Sequence, residues 1–299
     1  MSGKAVLLIA HGSPERAEDI PAFLQNISRG RPMPEAVVRE VQHRYSLIGS
    51  SPLTRITQQQ ADAVRRELGM PAYVGMRNWH PFIADTLKQM VSDNVGESVA
   101  ICLAPHNSRT SVGLYKEVLF NAGAPFRIDF VEEWHDQPLL IQAFAGKLRA
   151  AWNEACNDHG GPVPVLVTAH SVPKRTVIEG DPYEAQTRET ASLVAAEVPE
   201  IGGWNFAFQS QGMSGGEWLG PTVEETIDRL SDAGHKALLV QPIGFVCDHV
   251  EILFDVDILF RQYAEERGIK LYRAESLNDS PTFARAVAEL ARARFAASC

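Results

Sequence analysis

Two imidazoles and two carboxylates raise the question of chemistry. His170 closes the run Val165-Leu-Val-Thr-Ala-His-Ser-Val-Pro173, and Pro242-Ile-Gly-Phe-Val-Cys-Asp-His-Val-Glu251 carries His249 and Glu251 out of a second apolar run. Asp255 and Asp257 follow. On a helix, Glu251 and Asp255 are four apart and share a face, where like charges repel rather than pair, while Asp257 is rotated away. A file of carboxylates beside imidazoles suits a divalent cation or a proton relay. Taken singly, each group is ordinary: a lone His beside a strand is more often a hydrogen-bonded structural residue, and acids on a helix more often face water. What changes the balance is the prediction of His170, His249, Glu251 and Asp255 on one rim, an open metal site with few ligands.

The rim follows from the elements that must carry it. Val165, Leu166 and Val167 form a short apolar, β-branched run, the profile of a strand buried on both faces in a parallel sheet. Such sheets keep their ligand crevice at the carboxyl ends of the strands. A second copy, Val6-Leu-Leu-Ile-Ala-His-Gly-Ser-Pro14, puts His11 in the equivalent place, so two similar halves should face one another across a cleft.

Strand patterns in the first half cover 5–10, 72–76, 99–104 and 126–131. They alternate with helical patterns over 18–27, 34–48, 52–68 and from Pro81 onward, followed by a helix over 139–152. Asn157-Asp-His-Gly-Gly-Pro162 reads as a linker. Strands over 163–168, 205–209, 237–241 and 269–273 then alternate with helices over 181–198, 221–233, 249–267 and 281–296. This alternation predicts an α/β protein of two Rossmann-like doubly wound lobes, residues 1–156 and 157–299. Each lobe would hold a four-stranded parallel sheet, with the C-terminal helix able to pack back on the first lobe.

Composition narrows the classes. At 299 residues the chain is long enough for two cores, and 45% hydrophobic with 22% charged residues fits a globular protein. A net charge of −9 argues against a nucleic-acid partner. No apolar run approaches a membrane span and no signal-peptide core is visible, which predicts a cytoplasmic chain and leaves peripheral membrane contact open. Cys102, Cys156, Cys247 and Cys299 are far apart without a CxxC pair, against a zinc module, a disulfide scaffold or an iron–sulfur cluster. Neither a GxGxxG motif nor a P-loop is present, which disfavours a nucleotide, and no other organic cofactor is indicated.

Two further stretches bear on ligand binding. Arg29, Arg31, Arg39, Arg44 and Arg55 cluster within an acidic chain beside Tyr45, Ser51 and Thr54. Arginine offers bidentate recognition of carboxylate or phosphate, although a mixed helix face would look the same. Ser210-Gln-Gly-Met-Ser-Gly-Gly-Glu-Trp-Leu-Gly-Pro221 is a glycine-rich loop whose Trp218 suits the wall of a flat apolar ligand.

Read together, these segments resemble the ferrochelatases, which insert Fe²⁺ into a porphyrin. The resemblance rests on Leu103-Ala-Pro-His-Asn-Ser108, Thr168-Ala-His-Ser-Val-Pro173, Gly180-Asp-Pro-Tyr183, Ser210-Gln-Gly with Trp218-Leu-Gly-Pro221, and Pro242 to Glu251, in the family's order over nearly the whole chain. It implies a class II chelatase-like fold with the macrocycle between two lobes. It implies His170 and Glu251 as the catalytic and metal-handling pair, and Fe²⁺ as substrate. Porphyrin contacts would come from His11, Arg29, Arg44, Tyr45, Ser51, Tyr115 and Trp218, with Asp255 a further metal candidate on the acidic helix. Leu259 stands where the coproporphyrin-using branch often carries another acid, which argues against an accessory metal site.

That branch is the one most closely resembled: the arginines suit a ligand with several carboxylates, and the segment after His11 lacks the apolar lip of membrane-docked members that use protoporphyrin IX. The departure is His11 itself, because the branch usually has Tyr there. Ala-His-Gly-Ser looks instead like the small sirohydrochlorin cobalt or iron chelatases, and implies an axial metal ligand. The expected protein is thus a monomeric, cytoplasmic coproporphyrin III ferrochelatase. The alternatives are a protoporphyrin IX ferrochelatase, a sirohydrochlorin chelatase and a non-catalytic haem-binding protein.

Overall fold

The structure, a computed structural model, describes residues 3–211 and 216–297. Its centre in the first half is strand β1 (Gly3–Ala10), whose residues Ala5 to Ile9 are wholly buried. Burial is two-sided: Val6 and Leu8 enter one core, whereas Ala5, Leu7 and Ile9 enter another. This accounts for a continuous rather than alternating apolar run. Truncating Leu8 to Ala would cost about 2–5 kcal/mol. Strands β2 (Ala72–Met76), β3 (Val95–Cys102) and β4 (Arg127–Val131) join β1 in a parallel sheet of order β2-β1-β3-β4.

The second half repeats this plan. Strands β5 (Val165–His170), β6 (Trp204–Gln209), β7 (Ala237–Pro242) and β8 (Lys270–Arg273) form a parallel sheet of order β6-β5-β7-β8. The two orders are the same once β5 is set on β1. In each sheet the order reverses between the first and third strands, and at such a switch point the loops splay apart to leave a crevice. The two α/β sheets expected from the sequence are present.

The first five helices are α1 (Ile20–Ile27), α2 (Glu35–Ile48), α3 (Leu53–Leu68), α4 (Ile83–Ser92) and α5 (Val112–Ala122). The longer α6 (Pro138–His159) is followed by α7 (Lys174–Ile178), α8 (Tyr183–Ala196) and α9 (Val223–Asp232). The last are α10 (Arg261–Glu265) and α11 (Pro281–Ala297). Helix α6, although it follows the first sheet in the chain, packs on β7 and α8 of the second; α11 returns to α3 and β3 of the first. One apolar core therefore runs between the sheets, holding Val6, Leu8, Phe144, Val165, Val167 and Phe283 together.

Several local expectations are corrected. The linker predicted from Asn157 begins inside α6, which continues to His159 before Gly160 ends it in a left-handed turn. Helix α5 was not legible, because Val118 and Phe120 are exposed while Val112, Tyr115 and Leu119 are buried, which blurs its apolar stripe. The helix expected over 249–267 is a π-helix from Glu251 to Phe260, continued by α10. Such wide-turn segments occur mostly as short insertions at functional sites, so a run of this length is unusual.

Candidate active site

Both switch points open into one cleft, a cavity of ≈ 690 Å³ lined from both halves of the chain. One wall is built by β5, β7 and the π-helix. His170, the last residue of β5, shares its hydrogen through Nδ1 with the Ser171 carbonyl. A carbonyl only accepts, so Nδ1 carries a hydrogen, and Nε2 is the nitrogen that can bind or release a proton. That Nε2 lies 3.6 Å from Glu251 Oε2. On the other side, His249 Nε2 is 3.8 Å from the same oxygen, and its Nδ1 donates to the Cys247 carbonyl at 3.0 Å.

Glu251 Oε2 is sealed from solvent and makes no hydrogen bond of its own. Burial would push this carboxyl up, but the imidazoles of His170 and His249 outweigh it and hold the group well below the usual carboxylate range. Burial likewise works against a charge on His249, and Glu251 reverses the effect, raising His249 above its ordinary value. Gly244 is required here: a Cβ on it would stand 3.1 Å from the Ala169 Cα and from the His170 nitrogen.

The opposite wall follows β1 and β2. His11 lines the cleft directly after β1, and Gly12, at φ +80°, lets the chain turn under Trp79. Burial and the nearby Arg77 guanidinium drive His11 down to about 4, so it is neutral near pH 7. Its Nδ1 is 3.0 Å from the Gly12 carbonyl and its Nε2 is 3.0 Å from Asn78 Nδ2. Arg77 stacks over the Tyr115 ring at 4.8 Å and leaves Nη1 buried without a partner. Burial pushes the Tyr45 phenol up to about 12, with the Ser13 and Ser51 hydroxyls beside it opposing. None of these three hydroxyls makes a well-formed hydrogen bond.

Of the residues singled out from the sequence, His11, Arg44, Tyr45, Ser51, Tyr115, His170, Trp218, Glu251 and Asp255 all line this cleft. Arg29 does not; it is exposed and pairs with Glu117 at 3.3 Å. Asp255 faces Arg44 Nη1 at 3.5 Å and accepts from Ser210 Oγ, and burial raises its carboxyl above the ordinary value. Asp257 turns away to Arg273 at 2.7 Å, and Leu259 is exposed. Among the described residues, no group of three or more His, Cys, Asp or Glu side chains is placed to hold a metal. Cys102, Cys156 and Cys247 are free thiols, and Cys299 lies outside the described residues, as do the glycine-rich loop's residues 212–215.

Sequence reasoning missed Arg77 and Asn78, and gave no role to His106, which burial drives down to about 3. The signal for the first two was available. They directly follow β2, whose last residue Met76 is in register with Ala10 of β1. The rule that found His11 therefore applies to the neighbouring strand as well.

A family model described as Ferrochelatase matches residues 3–295. A protein from Acidobacterium capsulatum named Ferrochelatase is 53% identical, covering 96% of this chain and 93% of its own. One named Coproporphyrin III ferrochelatase, from Oceanobacillus iheyensis, is 34% identical over 95% of each chain. Among solved structures, SirB from Bacillus subtilis with Fe³⁺ aligns with a TM-score of 0.57 at 11% identity, over 97% of this chain and 94% of that one. CbiX aligns at 0.52 and 16% identity, over 96% and 98%. At such identities the likeness is one of fold alone, that of the class II chelatases.

Proposed function

The chain belongs to the ferrochelatase family, lyases that insert Fe²⁺ into a porphyrin, and we propose that its porphyrin is coproporphyrin III, with His170 as pyrrole base and Glu251 as its carboxylate partner. The observation that supports this most is His170 Nε2 set 3.6 Å from a sealed Glu251 oxygen that makes no hydrogen bond on the cleft wall. A buried acceptor without a partner is costly, which points to a proton or a metal ion as its missing counterpart.

Metallation removes two pyrrole protons and turns the nitrogen lone pairs toward the metal. A cleft that holds the macrocycle bent lowers the barrier, because it favours the distorted ring over the flat one. His170, its ring held by the Nδ1 contact to Ser171, takes the two pyrrole protons one after the other on Nε2 and passes each to water. Glu251, kept ionised, stabilises the resulting imidazolium or offers an oxygen to the entering cation. Two protein groups are a low count for a metal, but the macrocycle's own nitrogens supply the remaining coordination of a substrate ion.

The choice of porphyrin is supported by the first wall. Arg44, paired with Glu40 and Asp255, adds positive charge to the cleft, and the Arg77 Nη1 donor with the hydroxyls of Ser13, Tyr45 and Ser51 lacks well-formed partners, which suits a macrocycle with several carboxylates. Trp218 adds a flat face. A sirohydrochlorin chelatase would need His11 as a ligand, and both nitrogens of that ring are already engaged. The reading also carries a monomeric, cytoplasmic enzyme, since one chain supplies both walls and the thiols of the described cysteines are free. No helix among the described residues is long and apolar enough to cross a membrane.

The test is an anaerobic assay with Fe²⁺ against coproporphyrin III, protoporphyrin IX and sirohydrochlorin in parallel, repeated with His170→Ala. Insertion into coproporphyrin III should dominate, and His170→Ala should abolish it while porphyrin fluorescence still reports binding. Equal turnover of protoporphyrin IX, or turnover by the variant, overturns the assignment.

A further inference from the structure

His11 and His170 occupy matching turns, yet their Nε2 atoms face opposite partners: an amide donor on His11 and a carboxylate on His170. His11 Nδ1 faces the Gly12 carbonyl at 3.0 Å, so it carries the ring's hydrogen and leaves the lone pair on Nε2. Asn78 Nδ2 sits 3.0 Å from that lone pair. The orientation of the Asn78 amide is fixed independently. Its Oδ1 accepts from Arg77 Nε at 3.4 Å, and a guanidinium only donates, so the NH₂ end must be the one facing His11.

Asn78 is also anchored through its backbone. Its N–H donates to the His11 carbonyl at 2.9 Å, and its own carbonyl accepts from Asn26 Nδ2 at 3.0 Å. The residue is buried. Swinging the amide aside would strand a polar group in the interior, so the cap is not a casual surface contact.

We infer that Asn78 is a positioning residue that keeps the His11 nitrogen off the iron, so that the metallated porphyrin departs without a protein imidazole on that face. The inference rests on the chelatase reading and gives it an exit step. A buried imidazole with a free lone pair, facing a planar iron macrocycle, would bind the iron and hold the product. Capped by an amide, the same ring serves as a wall.

Preformed ferrous iron–coproporphyrin III is added anaerobically to wild type, Asn78→Leu, Asn78→Asp, His11→Phe and the Asn78→Leu/His11→Phe double variant. Visible spectra and the rate of transfer to a scavenging apoprotein are then recorded. Wild type should show no ligation that depends on His11 and so match His11→Phe. Asn78→Leu should gain the imidazole-ligated spectrum and release the product roughly tenfold more slowly, a change the size of one lost buried hydrogen bond. The double variant should revert on both readouts. Asn78→Asp sets a carboxylate against Nε2, which draws a proton from solvent onto that nitrogen and occupies the same lone pair, so this variant should stay like wild type.

An Asn78→Leu variant with unchanged spectrum and release overturns the inference, and so does imidazole ligation in wild type that His11→Phe removes. Should Asn78→Leu not accumulate as folded protein, Asn78→Ala carries the same prediction. Loading with preformed product needs no turnover. A wild type that inserts no Fe²⁺ therefore counts against the proposed reaction, and an unchanged Asn78→Leu counts against the cap alone.

Discussion

The two strand-end histidines share topology and differ in electrostatics. On the second wall, Glu251 stands between His170 and His249, and its sealed oxygen is an acceptor without a donor. On the first wall the surplus is the reverse: Arg77 Nη1 and the Ser13, Tyr45 and Ser51 hydroxyls are donors without acceptors. A duplicated fold has thus placed a proton-accepting, cation-favouring face opposite a donor face. A ring with acidic N–H groups at its centre and carboxylates at its rim satisfies both.

The harshest way to break this contrast is to neutralise the second wall. Glu251→Gln keeps the shape but removes the charge that would stabilise a protonated His170. Loss of a positioned carboxylate in proton transfer costs on the order of 10²–10⁴ in rate. Steady-state insertion should fall by that range while porphyrin affinity, read by fluorescence quenching, shifts little. If the rate held and affinity collapsed, Glu251 would be a binding group and the walls would not divide the work as described.

Stability against pH distinguishes the walls by sign. His11 is held neutral, with its folded value near 4 against 6.5 unfolded. Between those values the unfolded chain binds the extra proton, so stability falls as pH drops through the interval, by up to ~3 kcal/mol from this group. His249 is raised, so its contribution is fully present below pH 6.5 and is lost as pH rises through its folded value. Relative to wild type, His11→Phe should therefore gain stability as pH falls from 6.5 toward 4. His249→Gln should be weaker than wild type in acid and converge with it at alkaline pH. Urea midpoints measured from pH 4.5 to 8.5 check both, and two curves of the same sign would dissolve the contrast.

How much of this the sequence disclosed depends on the range of the forces involved. The paired strand–His turns, the sheets and the His170–Glu251 meeting were legible, because a fully buried strand needs a continuous apolar run and the residues at its carboxyl end must fall in the crevice. The π-helix was not, since apolar residues at 252, 254, 256 and 260 do not distinguish a wide turn from an ordinary one. Nor was the engagement of Asp255 with Arg44 and Ser210, three residues from separate parts of the chain. Arg29 shows the opposite failure: its type suited a carboxylate ligand, but an exposed turn with φ +55° directs it to Glu117 outside the cleft.

The mildest probe removes one oxygen from the donor wall. Tyr45 is buried, and its phenol, at about 12, stays protonated and able to donate across the neutral range. Without a well-formed hydrogen bond to the neighbouring Ser13 and Ser51 hydroxyls, the group recovers little of its desolvation cost within the fold. Tyr45→Phe should leave Tm unchanged or slightly higher, since the lost group is satisfied only by water in the unfolded chain. If the hydroxyl waits for a porphyrin carboxylate, KM for coproporphyrin III should rise about fivefold, one hydrogen bond's worth, with kcat unmoved. Protoporphyrin IX, with fewer carboxylates, should respond less. A fall in Tm with KM unchanged would make the hydroxyl part of the fold's own bonding, and the donor face would lose its claim to select the substrate.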